Sequence, residues 1–184
     1  MIDENNCNVI VMLCNVLENK LEKCAKYWNS KNMYKYTINE EKKIDKNKYI
    51  IRILKLTNNF KKTERAIYQI HFTGWPDHEV PEVEGGKIFE TFINIIKDVD
   101  RLKGDNPIVV HCSAGVGRTG TFISIYFLYK EIMEQINANL KEIQFSIFNM
   151  VRKLKEMRIL SVQTLLQYNF IYQFVRYLLL NYNI

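Results

Sequence analysis

The sequence has little cysteine, glycine and proline, and these shortages limit the class of protein it can encode. Its 184 residues contain four cysteines, seven glycines and three prolines. No two cysteines have CxxC spacing, and the three histidines do not complete a zinc set beside them. We therefore expect reduced thiols rather than a disulfide framework. Neither an internal repeat nor a low-complexity linker is present, which argues against a fibrous or disordered chain.

Long apolar runs are also missing from the sequence. The longest stretches, around residues 122–129 and 170–180, are short and interrupted by polar or charged residues, so we expect no membrane span. The first six residues (MIDENN) are polar and acidic, which is not typical of a secretory signal. The sequence therefore predicts an intracellular, cytoplasmic protein.

Positive charge exceeds negative charge but is not grouped in blocks. The chain has 26 Lys and Arg against 20 Asp and Glu, which gives a net charge of +6. Scattered lysines are typical of a solvated surface, so we expect no nucleic-acid partner. The length and the 47% hydrophobic content predict one packed domain over residues 1–184.

The order of apolar patterns predicts an α/β (α+β) fold. Short runs rich in β-branched residues predict strands at 8–13, 48–57, 65–73 and 108–110, the second and third forming a hairpin. Helical spacing of apolar residues predicts helices at 84–102, 118–135, 139–157 and 161–181. The wholly apolar run at 108–110 favours the buried centre of a sheet. We expect a central mixed β-sheet flanked by helices.

The segment that carries chemistry is residues 110–120, VHCSAGVGRTG. A strand ends at Cys112, a loop of small residues follows, and Arg118 opens a helix. Glycines in such a loop let consecutive amides point inward, which forms an anion site at the helix N-terminus. The same environment favours a thiolate, so Cys112 is the candidate nucleophile. Arg118 supplies a planar fork for two phosphate oxygens, and Thr119 can donate a hydrogen bond to the sulfur.

Residues 111–120 match every fixed position of the signature HCSAGxGR[ST]G, so the chain resembles the cysteine-dependent protein tyrosine phosphatase family. Three further segments occur in that family's order along the chain. They are Glu18 with KCAKYW at 23–28, Trp75-Pro76-Asp77, and QTLLQ at 163–167. The resemblance covers about residues 8–181. It implies a phosphatase-type P-loop between the central strand and the following helix.

The resemblance implies hydrolysis of phosphotyrosine in proteins through a cysteinyl-phosphate intermediate. Cys112 would attack the phosphorus, and Asp77 would act first as general acid and then as general base. The phosphate would be bound by residues of the loop and its neighbours, namely Ser113, Ala114, Gly115, Val116, Gly117, Arg118, Asp77 and Gln163.

The remaining implied roles support these groups. Gln163 and Gln167 would orient the attacking water, Glu18 would pair with Arg118, and His111 would tune Cys112. We expect no metal and no cofactor, because Arg118 and the loop amides already neutralise the phosphate. The expected partners are phosphotyrosine-containing proteins.

Two departures from the family keep other functions open. The chain lacks the family's N-terminal portion, including the tyrosine loop that deepens the pocket, so we expect a shallower pocket and a truncated domain. Glu79 stands where the family usually has glycine. One alternative is a catalytically impaired phosphotyrosine-binding module. Another is a cysteine phosphatase that acts on phosphoinositide or RNA 5′-phosphate.

Overall fold

The chain forms two compact units, each containing two separate stretches of sequence. The computed structural model describes residues 1–29 and 34–182. The first unit comprises Met1–Gly74 and Asn94–Ser113, and the second comprises Trp75–Ile93 and the residues from Ala114 onward.

The first unit is organised around a five-stranded mixed sheet. Its strands are β1 (Val9–Met12), β4 (Tyr36–Asp45), β5 (Tyr49–Asn58), β6 (Thr63–Phe72) and β7 (Ile108–His111). Their order in the sheet is β4-β5-β6-β1-β7. Strand β5 is antiparallel to both β4 and β6, whereas β1 is parallel to both β6 and β7. A two-stranded ribbon of β2 (Leu17–Glu18) and β3 (Leu21–Glu22) follows β1. All four residues of β1 are buried, as expected for an apolar strand with a neighbour on each side.

The β5–β6 hairpin is held by its turn and by a helix that crosses it. Asn58 accepts hydrogen bonds at Oδ1 from the amides of Phe60 and Lys61, which closes the turn. Within the same unit, Tyr49 Oη donates to Asp98 Oδ2 at 2.7 Å and ties β5 to the second half of helix α1 (Lys87–Lys103).

The second unit is helical around an aromatic core. Its helices are the first half of α1, α2 (Gly117–Asn137), α3 (Ile147–Met157) and α4 (Leu165–Asn181). Trp75 lies 5.3 Å from Phe92 and 5.9 Å from Phe170, measured between ring centroids. These edge and tilted contacts are the favourable geometries for aromatic pairs, and they hold the segment after β6 against α1 and α4.

The α+β class with a mixed sheet and helices is confirmed, and so are the predicted hairpin and four helices. Three details of the prediction are wrong. Strand β7 ends the sheet among the described residues, so it is not central, because a short apolar run does not distinguish an end strand from a middle one. Helix α3 begins at Ile147 rather than near 139. Its start is set by the Ser146 hydroxyl, which accepts a hydrogen bond from the Asn149 amide. Strand β4 was not predicted, because half of the residues in its sequence YTINEEKKID are charged.

Within residues 1–29 and 34–182, no helix is both long enough and apolar enough to cross a membrane.

Candidate active site

The predicted phosphate loop follows β7 directly and leads into α2. Cys112 is buried, whereas Ser113 and Ala114 are exposed. Gly115 has φ of +71°, a left-handed conformation that favours glycine. The Ala114 carbonyl accepts a 3.0 Å hydrogen bond from Arg158 Nη2. Arg158 therefore fixes the exposed part of the loop, a role that the sequence did not predict.

The start of α2 is packed closely against the chain before α4. The Val116 carbonyl accepts from the amides of Gly120 at 2.9 Å and Val162 at 3.3 Å. A Cβ at Gly120 would lie 2.7 Å from the Val162 nitrogen, closer than real Cβ contacts allow. Glycine at this position therefore permits the approach that carries Gln163 to the end of the loop.

Arg118 and Asp77 form an ion pair in the second unit. Arg118 is 2% exposed, and its two terminal nitrogens have different partners. Nη2 lies 3.0 Å from Asp77 Oδ1, while Nη1 donates to the Trp75 carbonyl at 3.0 Å. The predicted phosphate-binding arginine and the predicted acid are thus brought together, as a planar guanidinium fork permits.

The segment that carries Asp77 is anchored through Trp75. The Trp75 ring is buried in the aromatic core, and its Nε1 donates to the Glu79 carbonyl at 3.1 Å. The left-handed residue of this loop is His78, with φ of 60°, and not Glu79. Glu79 itself does not have a positive φ, so the glycine that the family usually has at this position is not needed here to relieve backbone strain. His78 Nε2 lies 3.8 Å from Asp77 Oδ2.

Both predicted glutamines lie against Gly117. A Cβ at Gly117 would lie 3.0 Å from Gln167 Nε2 and 3.1 Å from Gln163 Oε1. Gln167 is 1% exposed, and its Oε1 accepts from the amides of Gln163 and Thr164 in a capping box at the start of α4. The glutamines are therefore positioned by the helix cap, with Gln163 just before α4 rather than within it.

In the first unit, His111 belongs to a buried polar network. Its Nε2 lies 2.8 Å from Tyr27 Oη, and its Nδ1 lies 3.0 Å from the Cys112 carbonyl. Gln69 Nε2 donates to Tyr27 Oη at 2.8 Å, and Gln69 Oε1 accepts from Arg52 Nη1 at 2.8 Å. Burial lowers the pKa of His111 and raises the pKa of Tyr27. The sequence did not predict this network, since Tyr27 is visible there only as part of KCAKYW.

The structure places two other predicted site residues, Glu18 and Thr119, without showing the contacts predicted for them. Glu18 Oε1 accepts from the Asn15 amide at 2.9 Å, which orients its carboxylate within the first unit. Thr119 Oγ1 is buried and has no hydrogen-bond partner among the described residues. The pairing of Glu18 with Arg118, the tuning by His111 and the bond from Thr119 to sulfur stay predictions.

Ligand atoms suited to a metal also meet in the first unit. The sulfurs of Cys14 and Cys24 and a ring nitrogen of His111 all lie within 4.8 Å of one another. Their separation in the sequence, by 10 and 87 positions, gives no metal-binding pattern. Only the fold brings them together.

Comparison with known proteins shows which family this chain resembles. The family model described as protein-tyrosine phosphatase matches residues 1–177. The chain is 37% identical to human receptor-type tyrosine-protein phosphatase alpha over 170 residues, which is 91% of this chain and 20% of that protein. It is 37% identical to tyrosine-protein phosphatase 2 of Dictyostelium discoideum over 177 residues, which is 94% of this chain and 45% of that protein.

Solved structures give the same result. The catalytic domain of human protein tyrosine phosphatase non-receptor type 18 is similar with a TM-score of 0.81 and 29% identity, covering 96% of this chain and 62% of that one. The same phosphatase has been solved in complex with HER2 phosphotyrosine peptides. The chain thus spans less than two thirds of these relatives and structures. Because the family model covers nearly all of its residues, the chain belongs to the protein-tyrosine phosphatase family.

Proposed function

We propose that this chain is a single catalytic domain over residues 1–184 that hydrolyses phosphotyrosine in proteins through a cysteinyl-phosphate intermediate. The observation that carries the proposal is the contact of Arg118 with Asp77, 3.0 Å between Nη2 and Oδ1. It joins the proposed phosphate-binding group, which belongs to the family signature, to the proposed proton donor, which belongs to the segment Trp75-Pro76-Asp77. Cys112 stands six positions before Arg118, at the start of the loop that leads into α2.

Binding begins with an exchange of partners at Arg118. The Arg118 guanidinium is already oriented for two acceptors, because it donates to the Trp75 carbonyl and to the Asp77 carboxylate. An arriving phosphate dianion offers oxygens with greater charge, and these replace the Asp77 carboxylate at Nη2. The amides of residues 113–117 bind the remaining phosphate oxygens, as expected for a small-residue loop at a helix N-terminus.

Phosphoryl transfer then needs a nucleophile and an acid. The Cys112 thiolate attacks phosphorus, the S–P bond forms, and the bond from phosphorus to the tyrosine oxygen breaks. The tyrosine phenolate is a poor leaving group because its conjugate acid has a pKa of about 10. The negative charge of the bound phosphate favours uptake of a proton from solvent by the Asp77 carboxylate that it displaces from Arg118. The Asp77 carboxyl then delivers this proton to the tyrosine oxygen.

Hydrolysis of the intermediate uses the other side chains of the second unit. Water attacks phosphorus, the S–P bond breaks, and the Asp77 carboxylate accepts the proton of the water. Gln163 and Gln167 are supported as water-orienting groups by their packing on Gly117. The Thr119 hydroxyl, which has no hydrogen-bond partner in the described part of the chain, is suited to stabilise the departing thiolate. In the proposed mechanism Glu18 orients Arg118 and His111 tunes Cys112.

The proposed substrates are phosphotyrosine-containing proteins, in line with the HER2 phosphotyrosine peptides bound by the similar human phosphatase. An intracellular, cytoplasmic location stays a prediction.

The test is phosphate release from a phosphotyrosine peptide by the 184-residue chain. We expect turnover that vanadate inhibits and EDTA does not, complete loss in Cys112→Ser, and unchanged turnover in Cys7→Ser, whose buried thiol lies outside the site. Equal turnover in Cys112→Ser would refute the mechanism. Stable capture of peptide by wild type without release would instead identify a binding module. Preference for phosphoinositide or RNA 5′-phosphate would overturn the substrate class.

A further inference from the structure

The three ligand atoms of Cys14, Cys24 and His111 have the composition of a zinc site. All lie within 4.8 Å of one another, and all belong to the first unit. Zinc bonds to sulfur at about 2.3 Å and to imidazole nitrogen at about 2.0–2.1 Å, so tetrahedral ligand atoms lie roughly 3.5 Å apart. Since the ligand atoms are at most 4.8 Å apart, side-chain movements of about 1 Å are enough to reach that geometry. Thiolate and imidazole ligands favour zinc among the common divalent cations.

The hydrogen bonds of His111 leave Nε2 as the ring nitrogen that can bind a metal. Its Nδ1 lies 3.0 Å from the Cys112 carbonyl, which only accepts, so Nδ1 carries the proton and Nε2 bears the lone pair. A histidine that binds a metal through one nitrogen normally donates from the other to a carbonyl or carboxylate. The Nε2 lone pair now accepts from Tyr27 Oη at 2.8 Å, and this contact is the one a metal replaces.

The two thiols differ in exposure in a way that suits metal entry. Cys14 is 1% exposed, whereas Cys24 is partly exposed. The sulfurs of Cys14 and Cys24 lie within 4.8 Å of each other, and burial raises the pKa of the Cys24 thiol. Because Nδ1 of His111 faces the Cys112 carbonyl, Nε2 is the ring nitrogen that can bind a metal beside them.

We propose that Cys14, Cys24 and His111 Nε2 form a binding site for Zn²⁺. On binding, the two thiols release their protons to solvent, His111 exchanges its hydrogen bond with Tyr27 for the metal, and water takes the fourth position. Two of the three ligands, Cys14 and Cys24, lie outside the catalytic loop, whereas His111 directly precedes Cys112. The site reaches the nucleophile through the bond of His111 Nδ1 to the Cys112 carbonyl.

The experiment titrates the reduced 184-residue chain with Co²⁺ and follows the absorption spectrum, then displaces Co²⁺ with Zn²⁺. We expect one metal per chain, thiolate-to-cobalt charge-transfer absorption and the visible bands of tetrahedral Co²⁺. Cys14→Ser and Cys24→Ser should each weaken Zn²⁺ binding at least tenfold. Cys7→Ser is the matched control, a buried cysteine outside the cluster, and should bind like wild type.

Cys112→Ser separates this site from metal bound at the catalytic thiol. The proposal predicts that this variant keeps the cobalt spectrum. It is overturned if wild type binds no metal under reducing conditions, or if Cys112→Ser abolishes the spectrum while Cys24→Ser retains it. Circular dichroism checks folding, and Cys24→Ser decides the outcome if the more buried Cys14→Ser fails to fold. The result does not depend on turnover, so it stands apart from the proposed phosphatase activity.

Discussion

Asp77 Oδ1 lies 3.0 Å from Arg118 Nη2, and the other terminal nitrogen of Arg118 binds the Trp75 carbonyl at the same distance. The chain therefore holds its proposed acid on its proposed phosphate ligand. Trp75 supports this contact from the aromatic core, so the loop and the arginine are positioned by one packed cluster. A bound phosphate has to compete with a carboxylate that is already in place.

Replacement of the acid should affect poor leaving groups most. In Asp77→Asn we expect kcat for a phosphotyrosine peptide to fall about 10²–10⁴-fold, because no carboxyl delivers a proton to the phenolate. The loss should be much smaller with 4-nitrophenyl phosphate, whose leaving group needs less protonation. Glu79→Gln, an exposed change two residues away, should stay within about twofold of wild type. Equal losses for both substrates in Asp77→Asn would argue against the acid role.

The planar shape of the Arg118 guanidinium should strengthen phosphate binding in addition to its positive charge. Arg118→Lys keeps one positive charge but cannot bind two oxygens in a plane. Because a hydrogen bond to a charged group contributes about 1.5–3 kcal/mol, we expect inorganic phosphate to inhibit about tenfold to a hundredfold more weakly. Competition kinetics measures this effect, with Arg176→Lys as control at an exposed arginine of α4. An unchanged inhibition constant in Arg118→Lys would contradict bidentate binding.

A methyl group at Gly120 should destabilise the fold. Its Cβ would meet the Val162 backbone nitrogen at 2.7 Å, and backbone cannot move as a side chain does. We expect Gly120→Ala to lower the free energy of unfolding by about 1–3 kcal/mol in urea. Gly74→Ala is the control, since its Cβ would meet only the end of the Phe72 ring at 3.2 Å. Comparable stability of wild type and Gly120→Ala would mean that the Val116–Val162 contact can open enough to accept a methyl group.

The stability of the chain should fall in mild acid because of His71. Burial lowers its pKa to about 4, and its Nδ1 faces Arg52 Nη1 at 3.1 Å while Nε2 faces the Cys14 carbonyl at 2.9 Å. The unfolded histidine, with a pKa of about 6.5, binds a proton more tightly than the folded one. This contribution to stability is therefore complete above about pH 6.5 and is lost as the pH falls toward 4.

The loss from His71 should be at most about 3 kcal/mol across that interval. Urea denaturation at several pH values, in metal-free buffer with a chelator, measures it. His71→Gln removes the titrating group, so its stability should decline less steeply than that of wild type. Parallel curves for the two proteins would show that His71 does not dominate the acid response.

The catalytic segment was predictable because its chemistry is local in sequence. Cys112, Arg118 and the glycines between them lie within one loop and the first turn of a helix, so residue type and spacing are sufficient. The anchors of that loop were not predictable. Arg158 reaches the Ala114 carbonyl from 44 positions away, and no periodic pattern marks an exposed arginine as a loop ligand.

The sequence by itself determined the family, the α+β class and the candidates for nucleophile, phosphate ligand and acid, because these depend on short motifs and apolar periodicity. Only the tertiary structure decided which distant groups meet. It paired Asp77 with Arg118 and packed Gln163 and Gln167 on Gly117. It also brought ligand atoms of Cys14, Cys24 and His111 within 4.8 Å of one another. Such contacts depend on strand order and helix packing, which bring together side chains that no local spacing relates.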